Sequence, residues 1–374
     1  MATIIISPPS LNQSVMWRVG LLAILLLAAG TRLWRINSWP IVLFDEAYYA
    51  SAAVQYLAGQ PFLFSHPPLV PLQYAALAYT GGATGGQLFR ESLLPYGQFP
   101  YALLRAGSAG AGVLLVLVIT LLAKTITGSP VAGLLAGLMA ALDNSLVLYA
   151  RLILPDTWLL LYGLLGLWCF LRAGQTPYRS RRWYRWLLCA SVMFGLAVSV
   201  KATGFFFPAL AFIYSLRQLP RYGAAHPSRV ALCVFVIPLL VVLSVTLLHW
   251  LLFDAVQPVL LNVHGQPDPI INTIRLRNPL LPRHPLLGRI TQRLAETAVY
   301  YLHTIGGNYT FRTPHSASSP WWLWPFMQKP MTLVALAGKD GTREVIFTGN
   351  PVIWWGGLSA LALISWQRLR RRWP

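Results

Sequence analysis

Asp45 and Glu46 stand side by side in "FDEAYYASAAVQYL", in a chain of 374 residues that holds only ten Asp and Glu. Downstream come His66 in "SHPPLVPLQYAAL", Arg105 in "YALLRAGSAGAG", and Asp143, Arg151 and Asp156 in "LDNSLVLYARLILPDTW". Lys201 follows in "SVKATGFFFP". A carboxylate within reach of a hydroxyl takes its proton as the oxygen attacks. Cations aimed at a departing anion stabilise the charge that develops there. Together these residue types suit a displacement in which Asp45 is a candidate base and Arg105, Arg151 and Lys201, in that order, are candidate contacts to an anion.

Each residue also has a plainer duty. Asp45 reads as the N-cap of a helix that Gly59 and Pro61 stop, with Glu46 a favourable charge in its first turn. A cap position is expected to lower the Asp45 pKa and keep it ionised. His66 precedes a helix start pre-set by Pro67 and Pro68, a place for an anion, a polar substrate group or a simple cap. Arg105 and Lys201 lie where a basic side chain snorkels to headgroups, and Asp143, Arg151 and Asp156 suit a self-neutralising network. "TPHSASSPWWLWPFMQKP" adds His315, Trp321 and Trp322, which stack on a sugar face or anchor in a membrane interface. His303 and His315 are too loosely patterned for a metal site, and the displacement sketched needs no metal or other cofactor.

What must position these side chains is a membrane-embedded scaffold. The chain is 56% hydrophobic and 10% charged, against about 25% charged in soluble domains. Its apolar runs approach the roughly 20 residues a spanning helix needs. The expected fold is an all-α polytopic membrane protein of about eight transmembrane helices, near 17–36, 102–123, 130–149, 154–172, 186–200, 202–217, 229–253 and 351–367. Residues 66–80 are apolar but short, suiting an interfacial or re-entrant helix. The organisation is then a transmembrane module at 1–253, with an outer loop at 37–101 carrying Asp45. A long outer segment at 254–350 follows, then a last helix with a basic tail at 351–374. Residues 17–30 resemble a signal peptide, but no positive charge precedes Arg18, so they read as the first span.

The net charge of +19 does not point to nucleic acid, because the Arg residues flank apolar runs as topology determinants do. With both termini cytoplasmic, fourteen Lys and Arg fall on inner connections and six on short outer ones. All ten carboxylates then fall on the outer side, where the chemistry is expected. The expected setting is a prokaryotic plasma membrane. Cys169, Cys189 and Cys233 lie inside apolar runs and read as small hydrophobes.

The ordered stretches "FDEAYY" (44–49), "HPPL" (66–69), "LLRAGSAGAG" (103–112), "LDNSLVLYARLILPD" (142–156), "VKATG" (200–204), "SSPWWLWPF" (318–326) and "GNPVIWW" (349–355) resemble the protein O-mannosyltransferase family. That family lies within the GT-C superfamily of polyprenyl-phosphate-sugar glycosyltransferases. The resemblance implies a GT-C-like fold. It also implies mannose transfer from a polyprenyl-phosphate-mannose donor to Ser or Thr of an exported polypeptide, outside the cytoplasm. Asp45 matches the acidic residue expected to be the base, Glu46 its motif neighbour, and Arg105 a basic residue of the second span. The pattern departs from the family's at Val70 and Pro71, where Gly-Lys is common, and in having one span after "GNPVIWW". The latter raises the expectation of a partner subunit. Two other readings are a related transferase acting on a lipid or glycan, and an inactive subunit or transporter. No internal repeat supports the transporter.

Overall fold

The computed structural model describes residues 11–218, 225–253, 261–267, 287–310, 320–338 and 341–370. The apolar runs fold into α1 (Leu11–Leu33), α4 (Tyr101–Thr127), α5 (Pro130–Leu142), α7 (Asp156–Gly174), α8 (Arg181–Val200) and α9 (Phe206–Leu216). They are followed by α10 (Ala225–Ala231), a π-helical stretch (Leu232–Val236) and α11 (Ile237–Leu251). The π-helical stretch stands just before Pro238, which has no N–H to donate to a preceding carbonyl. Among the described residues, five helices are long and apolar enough to cross a membrane: Ser14–Leu33, Tyr101–Thr127, Asp156–Gly174, Arg181–Val200 and Pro227–Leu251. With Leu22, Leu114 and Leu239 presented outward, they make the chain an integral membrane protein.

Of the eight expected spans, five correspond to helices of this length among the described residues. Pro130–Leu142 and Ala202–Leu216 are apolar but shorter. The expected span at 130–149 breaks at Asp143, whose backbone is extended and whose carboxylate accepts from the Leu146 N–H at 3.0 Å. That cap starts a separate helix, α6 (Asn144–Tyr149). The final helix, numbered α13 below (Pro351–Arg370), forms over the expected last span but is not one of the five. Its Trp, Gln and Arg residues dilute the apolar run.

The loop at 37–101 folds as expected into two short helices, α2 (Glu46–Leu57) and α3 (Leu69–Thr80). Their Ala and Tyr faces join the largest buried cluster, with Ala50, Ala53 and Tyr74 fully covered. A two-residue strand, β1 (Phe62–Leu63), pairs in parallel with β2 (Leu261–Asn262). The Gln55 amide donates to the carbonyls of Asn262 and Val263, clipping the outer segment to α2. That segment continues as α12 (Leu287–Thr310), docked on α11 through the Trp250 indole N–H and the Thr297 hydroxyl at 2.9 Å.

The expected all-α membrane architecture holds, with a small hairpin added to it. β3 (Met331–Gly338) and β4 (Gly341–Phe347) form an antiparallel hairpin in register from Met331 with Phe347 to Gly338 with Gly341, irregular between Thr332 and Val334. The hairpin lies between the 3₁₀ turn Trp321–Phe326 and α13.

Two arginines fasten helix ends at this same side of the bundle. Arg32, fully buried near the end of α1, donates to the Ala140 and Ala141 carbonyls that α5 leaves without intrahelical partners. Arg151, after α6, donates to the carbonyls of Thr31, Arg32 and Trp34 at 2.8 to 3.1 Å, closing the end of α1. A cation at a helix C-terminus also meets the negative end of its dipole.

Candidate active site

The turn into α2 aims one carboxylate inward and leaves the other unbonded. The Glu46 N–H donates to the Leu43 carbonyl at 3.1 Å, and the Leu43 N–H donates to Glu46 Oε2 at 2.9 Å. This reciprocal clamp works as a capping box does. It closes over Phe44, held at φ +51°, a left-handed conformation costing about 1–2 kcal/mol for a residue with a Cβ.

Glu46 is fully occupied. Arg105 donates Nε to its Oε1 at 2.8 Å and Nη2 to its Oε2 at 2.6 Å, with both side chains almost completely buried. The Ile153 N–H and the Tyr96 hydroxyl complete the shell at 2.9 and 3.0 Å. The other Arg105 N–H groups go to the Trp39 and Ile41 carbonyls. A bidentate pair this enclosed is a scaffold element. Glu46, expected as catalytic, and Arg105, expected at the donor phosphate, are here each engaged with the other. Arg151 is engaged likewise, because its guanidinium faces the α1 carbonyls. Asp143 is spent as well, accepting from Leu146, from the Asn350 N–H at 3.3 Å and from the Trp354 indole N–H at 3.0 Å. It binds the "GNPVIWW" stretch rather than a substrate.

Asp45 is held differently. The expected cap is not made: its side chain takes no capping hydrogen bond from α2. Half-buried, it has no ion pair among the described residues. Burial pushes its carboxyl above the ordinary carboxylate range, Lys201 pulls it down, and Asp156 pushes it back up. This reverses the lowered pKa expected from a cap.

Lys201 and Asp156 form the second ion pair of the described residues, at 2.8 Å with Lys201 23% and Asp156 30% exposed. Asp156 opens α7, where a negative charge suits the helix dipole. Lys201 ends α8 in extended backbone before a 3₁₀ turn, Ala202–Phe205. Gly204 lets that turn fold back on α8, since a Cβ there would lie 2.4 Å from the Ala197 carbonyl oxygen. His66 completes the cluster, its pKa lowered to about 4 by burial and then by Lys201, with Asp156 opposing. It is a neutral imidazole at physiological pH. The Tyr301 hydroxyl of α12 donates to the His66 carbonyl at 3.3 Å. The rings of Tyr49 and Tyr149 lie within electrostatic reach of both Asp45 and Asp156.

Of the residues singled out from sequence, the structure thus brings together Asp45, His66, Asp156 and Lys201, drawn from four elements. Glu46 and Arg105 lie behind Asp45 as support. Trp322 is exposed, and Trp324 rather than Trp322 turns toward the hairpin. His315 lies outside the described residues, as does the side chain of Trp321. Sequence reading passed over Arg32, Tyr96 and Tyr149. Arg32 was visible as a cation at the edge of the first span, and the tyrosines carried no local signal. The arrangement offers an unbonded carboxylate and a neutral imidazole, each within electrostatic range of one Lys201–Asp156 pair, residue types that can take a proton from a hydroxyl beside an anionic group.

Comparison with known proteins places this geometry. The family model of dolichyl-phosphate-mannose-protein mannosyltransferase matches residues 22–253. Protein O-mannosyltransferase 1 of Drosophila melanogaster is 30% identical over 309 residues, covering 79% of this chain and 35% of the fly protein. Dolichyl-phosphate-mannose–protein mannosyltransferase 1 of Saccharomyces cerevisiae is 31% identical over 172 residues, 45% of this chain and 21% of the yeast one. The chain thus spans about a third or less of these relatives' length. Among solved structures, the S. cerevisiae protein O-mannosyltransferase Pmt1-Pmt2 complex bound to the sugar donor superposes with a TM-score of 0.57 at 24% identity, covering 66% of this chain and 34% of that one. The apo oligosaccharyltransferase of Archaeoglobus fulgidus gives 0.56 at 15% identity, covering 97% and 46%. The fold is shared with these membrane glycosyltransferases. The matched segment begins within α1 and ends just past α11, enclosing Asp45, His66, Asp156 and Lys201, and the chain belongs to the dolichyl-phosphate-mannose-protein mannosyltransferase family.

Proposed function

We propose that this chain transfers mannose from a polyprenyl-phosphate carrier to Ser or Thr hydroxyls of exported polypeptides, at the membrane face where Asp45 lies. The observation that carries the reading is the Asp45 carboxylate, unbonded and partly desolvated beside the Lys201–Asp156 pair, in a chain of this family. Asp45 accepts the hydroxyl proton as the oxygen attacks the anomeric carbon. The bond to the carrier phosphate breaks on the opposite face, and the configuration inverts. Its raised pKa makes it a better proton acceptor than an ordinary carboxylate. Lys201 faces the departing phosphate, with Asp156 fixing its position, and neutral His66 is available to hydrogen-bond a sugar or phosphate oxygen. No step is drawn through a metal. Relatives include a two-chain complex, and a partner subunit is part of the proposal. Both termini are placed in the cytoplasm, in a prokaryotic plasma membrane.

The test is transfer of labelled polyprenyl-phosphate-mannose to a Ser/Thr-rich peptide by purified protein. Asp45→Asn should lose at least a thousandfold in rate and still insert and fold. Asp45's folded pKa is raised, so its ionisation opposes folding: that stability is present below the unfolded carboxylate pKa and lost as pH rises through the folded one. Asp45→Asn should therefore melt no lower than wild type at pH 7. Wild-type kcat/KM should climb with pH through a range above that of an ordinary Asp. Transfer by Asp45→Asn at the normal rate removes Asp45 as the base.

A further inference from the structure

A cavity of about 490 Å³ opens beside α6, between the 3₁₀ turn, the hairpin and the start of α13. Trp324, Met331, Phe347 and Trp354 wall it, and Ser145, Gln328, Lys329 and Thr348 supply its polar groups. Its size falls in the roughly 300–1,000 Å³ range of ligand sites, and its mostly apolar lining with few polar groups is their usual character.

Two features make it more than a gap. The first is Ser145. Only 8% exposed, its hydroxyl has no hydrogen-bond partner among the described residues. Leaving such a group unanswered is costly, so a ligand hydroxyl that reaches this wall of the recess gains a partner there. The second is how the walls are fixed. The Trp354 indole N–H is tied to Asp143, and Gly349 beneath it has no room for a Cβ, which would lie 2.3 Å from the indole nitrogen. Phe347 packs on Tyr149 with ring centroids 4.4 Å apart. The Trp354 ring is therefore held as a rigid wall, and Trp324, 58% exposed, stands at the rim. Aromatic faces beside hydroxyl-reading groups fit the C–H face and the hydroxyls of a pyranose. An apolar peptide side chain would fill the walls but leave Ser145 unanswered, the mismatch that polar sites reject.

We infer that this recess is a hexose-binding subsite. Tyr149 packs on Phe347 at the wall of the recess and lies within electrostatic range of Asp45. Resting on the proposed mannosyl transfer, the subsite's hexose comes either from an acceptor peptide already carrying a sugar or from the donor.

The experiment measures equilibrium binding to the full chain in detergent, in the Asp45→Asn background so that nothing turns over. The probes are a singly mannosylated Ser/Thr peptide, the same peptide bare, and a short-chain prenyl-phosphate-mannose. Trp324→Ala should weaken the mannosylated peptide at least tenfold and Ser145→Ala about three- to tenfold, with the bare peptide unchanged. If the prenyl-phosphate-mannose is weakened instead, the hexose is the donor's. Ser145→Ala removes one oxygen and guards against a misfolded Trp324 variant. Loss of bare and mannosylated peptide alike, or no loss of any probe, overturns the subsite. Because the readout is binding, its failure is separate from that of the catalytic reading, which falls only if Asp45→Asn transfers sugar.

Discussion

At the scale of single residues, the neighbours Asp45 and Glu46 have opposite fates. Glu46 receives five hydrogen bonds from Arg105, Leu43, Ile153 and Tyr96 and becomes part of the frame. Breaking one side of such a buried pair typically costs about 3–5 kcal/mol because the other charge is stranded. Glu46→Ala and Arg105→Ala should each collapse the thermal midpoint and the yield of folded protein. The fraction that folds should show a near-normal KM for donor, measured by varying polyprenyl-phosphate-mannose. A selective rise in donor KM at full stability would instead return Arg105 to the phosphate. Sequence alone showed that chemistry was possible at residue 45, because a scarce carboxylate at an apolar boundary is conspicuous. It did not show which carboxylate would be spent, since Arg105 is distant in sequence and its choice depends on the turn at Phe44. The same limit applies to Asp143 and Arg151, whose partners lie in other elements.

At the scale of elements, the helices were legible wherever an apolar run was long. The α5–α6 break was missed although Asp143, Asn144 and Ser145 are all helix-capping types. The hairpin was missed for a different reason: "MTLVALAG" is too uniformly apolar to show strand alternation. Its one local signal was the Asp-Gly pair at 340–341, a common hairpin turn. The hairpin and α13 are held to the bundle by Asp143, through Asn350 and Trp354. Asp143→Ala should therefore release this junction, increasing limited-proteolysis cleavage between 328 and 352 several-fold while α4 and α7 stay protected. Equal protection of the junction in mutant and wild type would show that other contacts hold it.

At the scale of the whole molecule, Asp45, Asp143, Asp156 and Lys201 share one end of the bundle, as the charge distribution along the chain suggested. The spans were harder to count, because a helix of 13 residues such as α5 and a loop-bounded α9 satisfy the hydropathy of a span without its length. Sidedness has a direct check. In a chain whose three native cysteines are replaced by alanine, Thr84→Cys should react with an impermeant maleimide added to intact cells. Gln175→Cys should react only after permeabilisation. The reverse pattern would invert the proposed orientation.

The two arginine clasps carry a consequence for how the protein is made. Arg32 leaves the ribosome more than a hundred residues before Ala140 and Ala141, the carbonyls it will hold, and Arg151 is the last part of the knot to arrive. Until then the first helix carries an unanswered cation and a frayed end, so it cannot settle as a finished span. The end of the first helix is therefore expected to close late in synthesis, once α5 and Arg151, after α6, have emerged.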